Sequence, residues 1–119
     1  MSERELSIAG IGISKEVIAA IVTRSAERVE GVARVGDNDV ASSLVNVFTR
    51  RKSSEPSVDS FIENGKLRVG VHLAVFYGYP FTALAADVRE AVSNGISSQI
   101  GVDVAAVDVS IDSLVFPKE

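Results

Sequence analysis

The chain has 119 residues, 46% of them hydrophobic and 24% charged, the mix of one compact globular domain able to hide roughly 65% of its unfolded surface in a single core. It has no cysteine and one histidine, His72, which excludes disulfide staples, thiolate metal centres, cysteine nucleophiles and any site built on two histidines. Its net charge of −4 gains nothing from counterion release at phosphates, which argues against a nucleic-acid partner.

Leu6, Ile8 and Ile11 predict a short first strand broken by Gly10 and Gly12. Ser14 is placed to cap a helix over about 14–30, with Glu16 near the positive end of its dipole. Val17, Ile21, Ser25 and Val29 form one row of that helix, Ile18, Val22 and Ala26 the next, and Gly31 stands where a residue just past the helix end belongs. In residues 37–56, the variable middle, Asp39 is placed to cap a short amphipathic helix using Val40, Leu44, Val45 and Phe48; Arg50-Arg51-Lys52 and the serines after it read as a polar connection.

The next elements are sharper. Asn64-Gly65 is a favoured two-residue hairpin turn, since both residues tolerate positive φ. It sets Ile62 opposite Leu67, Ser60 opposite Val69 and Val58 opposite Val71, with Leu73, Val75 and Tyr77 continuing the inward row. Lys66, Arg68, Gly70, His72, Ala74 and Phe76 point the other way. Pro80 suits the first turn of a second helix carrying Phe81, Leu84, Ala85, Val88, Val92, Ile96 and Ile100, closed by Gly101. Gly95 inside it marks either close backbone packing or a weakened final turn. A last strand sets Val107, Val109, Ile111 and Val115 inward against Asp108, Ser110 and Asp112.

Residues 69–86 contain no Asp, Glu, Lys or Arg, a length near that of a membrane span. The change from alternation to helical spacing around Gly78 and Pro80 marks a strand running into a helix instead, and the charged start of the chain lacks the apolar run of a signal peptide. The expected architecture is a single α+β domain over 1–119, a two-layer sandwich with two amphipathic helices packed on one face of a mixed β-sheet. Val71, Leu73 and Val75 are expected beneath Leu84, Val88 and Val92.

Few residues promise chemistry. Gly10-Ile-Gly-Ile-Ser-Lys lacks the third glycine of a dinucleotide loop and the spacing of a Walker loop, and reads as a strand-to-helix turn. His72 lies on the outward face with Asp59 diagonal to it on the paired strand, but no nucleophile or paired-carboxylate cleft accompanies them. Asp103, Asp108 and Asp112 lack calcium-loop spacing and read as a solvated face. No catalytic, cofactor-binding or metal residues are assigned. Arg68, His72 and Phe76 form the candidate interaction surface. Phe76 has two readings, an exposed interface anchor or a residue covered by the 37–56 segment. An unpaired sheet edge offers a second route, by strand addition.

Three stretches resemble a known family: Ile13-Ser-Lys-Glu-Val-Ile-Ala-Ala-Ile-Val running on to Val29-Glu-Gly-Val32, Gly65-Lys-Leu-Arg-Val-Gly-Val-His-Leu-Ala-Val-Phe-Tyr-Gly78, and Gly101-Val-Asp-Val-Ala-Ala-Val-Asp-Val-Ser-Ile-Asp-Ser-Leu-Val-Phe116. In order and spacing they are similar to the alkaline-shock-protein, or Gls-type, envelope stress response family of bacteria. Residues 37–56 match no pattern of that family. The resemblance implies a non-enzymatic scaffold or interaction protein without cofactors, linked to envelope homeostasis and stress. It further implies a cytoplasmic protein that reaches the membrane through a membrane-anchored partner or associates with itself as a homo-oligomer, with no direct insertion and no nucleic acid. Two other classes stand beside it. An RNA-binding domain needs a basic outer sheet face, with Lys66, Arg68 and His72 as its row; a small-ligand-binding module, of the kind associated with fatty-acid metabolism, needs a pocket between helices and sheet.

Overall fold

A computed structural model of the chain describes residues 5–36 and 57–116. The chain opens with a hairpin of β1 (Glu5–Ile8) and β2 (Ile11–Ser14). The expected single strand is thus two, because Ala9 and Gly10, at φ 53° and 81°, form a tight turn between them. Gly12 lies within β2 under the Glu5 carboxylate, so the glycine pair is not a strand-to-helix turn. β2 runs directly into α1 (Lys15–Glu27), where the Ser14 hydroxyl accepts the Val17 N–H at 3.1 Å, the expected cap.

Only one of the two apolar rows of α1 is fully buried, that of Ile18, Val22 and Ala26. Val17, from the other row, is exposed. The helix stops at Glu27, short of the expected 30, so Gly31 does not end it. Gly31 instead turns the chain into β3 (Val32–Val35), a strand that alternation over four residues is too short to reveal.

β4 (Val58–Glu63) and β5 (Lys66–Phe76) pair antiparallel in the expected register, Ile62 with Leu67, Ser60 with Val69 and Val58 with Val71. α2 (Phe81–Ile100) follows, with Pro80 as its N-cap residue and Gly101 left-handed at its end. β6 (Val104–Val115) then lies parallel to β5. The β5–α2–β6 unit makes the sheet mixed. β5 is its centre: β4 and β3 share one edge, along its first and last parts, and β6 takes the other. The region without charged residues is the end of β5 and the start of α2, and among the described residues no helix is long and apolar enough to cross a membrane.

Both helices cover the same face of this sheet. Val69, Val71, Leu73 and Val75 are buried there with Ile18, Val22, Leu84, Val88, Val92 and Ile96, the two-layer α+β sandwich that the patterning predicts. A Cβ built on Gly95 of α2 would collide with the Ser25 hydroxyl of α1. Gly95 is therefore a place of close approach between the helices, the first of its two expected readings. The short helix expected from Val40, Leu44, Val45 and Phe48 lies outside the described residues.

Candidate interaction face

The face of the sheet opposite the helices presents every second residue of β5: Arg68, Gly70, His72, Ala74 and Phe76. Arg68 and His72 are half-exposed, Phe76 is partly covered, and Ala74, expected outward and open, is buried. Ala74 lies at the middle of the sheet, paired with Arg34 of β3 on one side and Ser113 of β6 on the other. β4 adds Asp59, Phe61 and Glu63 to this face, opposite Gly70, Arg68 and Lys66.

β6 supplies the partners of the two polar β5 residues. The Arg68 guanidinium donates from Nε to Asp108 at 3.3 Å and from Nη1 to Glu63 at 3.3 Å, and the hydrogen bond to Asp108 chiefly raises its pKa. His72 Nδ1 lies 2.8 Å from Asp112 Oδ2. Ser110 donates to the other Asp112 oxygen at 2.7 Å, and it is this bond first, then His72, that holds the Asp112 carboxyl below its ordinary pKa. The acid beside His72 is thus Asp112 rather than Asp59. No hairpin turn fixes the register of a strand reached through a helical crossover, so spacing along the chain could not expose this pair.

Asp112 also occupies a bulge. Leu73 pairs with Ile111 but Ala74 with Ser113, so one extra residue enters β6 and reverses its alternation. Val115, expected inward, therefore pairs with Phe76 on the outer face, while Leu114 pairs with Val75 on the helix side. Tyr77, expected to continue the inward row, is 61% exposed, because β5 has ended at Phe76 and α2 begins only at Phe81. Its ring packs on Phe116, centroids 5.1 Å apart. Tyr77, Tyr79, Pro80, Phe81 and Leu114 line a cleft of about 350 Å³ at this end. A second cleft of about 410 Å³ separates Ile8 and Ala9 of the first hairpin from Leu67 and Val104. Patterning missed the exposed group of Tyr77, Phe81, Leu114 and Phe116, since Tyr77 and Phe81 fit core rows and only the ends of their elements expose them, while Leu114 falls beside them through the β6 register shift.

The charge of the outer face bears on its chemistry. Asp59, Glu63, Asp108 and Asp112 stand on it against Arg34, Lys66 and Arg68, with Arg68 already held by two carboxylates. A polyanion meets no basic field here, which weighs against RNA recognition through this row. The arrangement is that of a two-layer α+β domain: a mixed sheet backed by α1 and α2, with polar side chains of the outer face paired and apolar ones between and beyond them.

The chain belongs to the alkaline shock protein 23 family, described as having a cell envelope-related function, whose pattern matches residues 3–116. No curated protein matches the chain. Among solved structures it is similar to a singly substituted MamM, at 17% identity over 86% of this chain and 99% of that one, with a TM-score of 0.50. A doubly substituted MamM CTD matches at 17% identity over 83% of this chain and 93% of that one, with a TM-score of 0.49. At these identities the likeness concerns the arrangement of helices and strands alone.

Proposed function

We propose that this chain, as a single domain over residues 1–119, is a non-enzymatic scaffold or interaction protein of envelope homeostasis and stress response. It acts in the cytoplasm and reaches the membrane by holding a membrane-anchored protein, with self-association into a homo-oligomer through the same surface. Arg68, His72 and Phe76 are the proposed contact residues; no catalytic, cofactor or metal site is part of the reading.

One observation carries it. Both helices lie on one side of the sheet, and the other side presents Phe76, Phe61 and Val115 among charges fixed by Arg68–Asp108 and His72–Asp112 contacts. Apolar anchors among preordered polar groups are what protein interfaces use, because little side-chain entropy remains to be lost on binding. The family's envelope-related function supplies the cellular setting.

Sedimentation with membranes tests the partner. The purified chain is expected to pellet with envelope membranes of the native bacterium, and to stay in solution with the same membranes shaved by protease or with vesicles of their extracted lipids. Pelleting with bare lipid vesicles would overturn the partner-mediated reading.

A further inference from the structure

β6 is the longest strand among the described residues, 12 residues from Val104 to Val115. Its hydrogen bonds to strands run to β5 alone, and among the described residues no strand lies along its other edge. Such an edge presents unsatisfied N–H and C=O groups at every second residue, a template for one more strand. Two features give this edge a chemical signature. On the outer face Asp108 and Asp112 stand four residues apart, and their side chains keep 63% and 49% exposure despite their contacts with Arg68 and His72. On the helix side Val109 and Ile111 are only partly covered, and Leu114 is 40% exposed beside the cleft of Tyr77 and Phe81.

We infer that the outer edge of β6 docks an extended, cationic-amphipathic segment of a protein partner, added to the sheet as a further strand. This rests on the interaction-protein reading and names a site and a partner chemistry for it. Side chains directly opposite on neighbouring strands sit about 5 Å apart on the same face. Lys or Arg at alternate positions of the added strand therefore meets Asp108 and Asp112, whereas Asp or Glu there is repelled. The residues between them turn to the helix side, where apolar groups extend the cover over Val109 and Ile111. A large apolar residue at the far end enters the cleft beside Leu114. From Asp108 to Leu114 the strand spans roughly 20 Å, so about eight residues satisfy both features. The competing account is an edge guarded by charge and by the Asp112 bulge, as exposed edges often are, with no occupant.

The experiment uses the full chain and two synthetic octapeptides. One alternates lysine with valine and carries phenylalanine at both ends; the other has glutamate in place of each lysine. Amide hydrogen exchange and binding are measured for each. The lysine peptide is expected to slow exchange at alternate residues of β6 and to bind at least tenfold more tightly than the glutamate peptide, about what two or three exposed charge pairs can supply when attraction replaces repulsion. Asp108→Lys, a surface change whose effect on folding is read from the exchange of α2 core amides, is expected to cut that preference at least threefold. Asp108→Asn, which adds no new charge, is expected to fall between.

Unchanged β6 exchange, equal binding of the two peptides, or a preference that survives Asp108→Lys overturns the inference. So does concentration-dependent protection of β6 in the peptide-free chain, which marks a second copy as the occupant. If the chain still pellets with envelope membranes while β6 ignores the lysine peptide, the edge assignment fails and the interaction-protein reading stands. If the peptide binds as expected but the chain ignores protein-bearing membranes, the membrane-partner reading fails instead.

Discussion

Leu84→Ala lowers the stability of the fold by about 2–5 kcal/mol, the cost of lost transfer energy plus an unfilled cavity. Leu84 is 3% exposed in the first turn of α2 and belongs to the core cluster shared by both helices and β5. Its N–H donates to the Pro80 carbonyl at 2.9 Å, which fixes the helix start above the end of β5. Little can collapse into the space, because the neighbouring Gly31 has no side chain and backbone cannot flow. A domain of this size has only about 5–15 kcal/mol in total, so the loss is a large fraction of it. Phe81, three residues earlier on the same helix, is 47% exposed, and Phe81→Ala is expected to cost less than about 1 kcal/mol. Denaturant unfolding of the two variants checks the contrast. A Leu84→Ala loss below about 0.5 kcal/mol, typical of a surface site, contradicts the assigned helix face.

Gly31→Ala is expected to cost about 2–4 kcal/mol, from backbone strain and steric conflict together. Gly31 has φ +105°, a conformation that side chains rarely adopt, and a Cβ there would stand 2.9 Å from Tyr79 Cγ and 3.1 Å from Leu84 Cδ1. The surroundings are held on both sides. Tyr79 donates its hydroxyl to Glu30 at 3.2 Å, which raises the phenol's pKa, and the Gly31 carbonyl accepts the Phe76 N–H at 2.8 Å. A ring tied at its far end cannot swing away without losing that bond. Gly10 gives the comparison, since it too has positive φ, +81°, but open space around its Cβ; Gly10→Ala is expected to cost only about 1 kcal/mol, the strain alone. In a Tyr79→Ala background the cost of Gly31→Ala is expected to drop toward the Gly10 value. Thermal unfolding of the parent, the three single variants and the double variant decides it, and equal costs at Gly31 and Gly10 contradict the close packing.

The parts of the fold that patterning revealed are those set by local rules. Asn64-Gly65 fixed the register of β4 on β5 because a two-residue turn leaves no other pairing, and Ser14 marked the helix start because its hydroxyl meets a backbone donor three residues on. β3 stayed hidden because Val-Ala-Arg-Val is four residues long and draws its stability from β5, which lies far along the chain. The outer face was legible as a list and not as an arrangement. Arg68, His72 and Phe76 fell on one face by alternation, but Asp108 and Asp112 reach them only through the parallel crossover, whose register no turn dictates. The Asp112 bulge was equally hidden, and it is the bulge that sends Val115 outward beside Phe76. Gly95 shows the opposite case. A glycine inside a long helix is costly enough to imply a reason, and the reason is Ser25 of α1.

The central proposal is that the face of the sheet opposite α1 and α2, with Phe76 at its end, is where the chain holds a protein partner. Phe76→Asp tests it most directly, read by thermal unfolding and membrane sedimentation on the same preparation. The account predicts a folded protein, its unfolding midpoint within about 5 °C of the parent, that no longer pellets with envelope membranes. A Phe76→Asp protein that fails to fold, which places Phe76 in the core, or one that folds and pellets as the parent does, contradicts it.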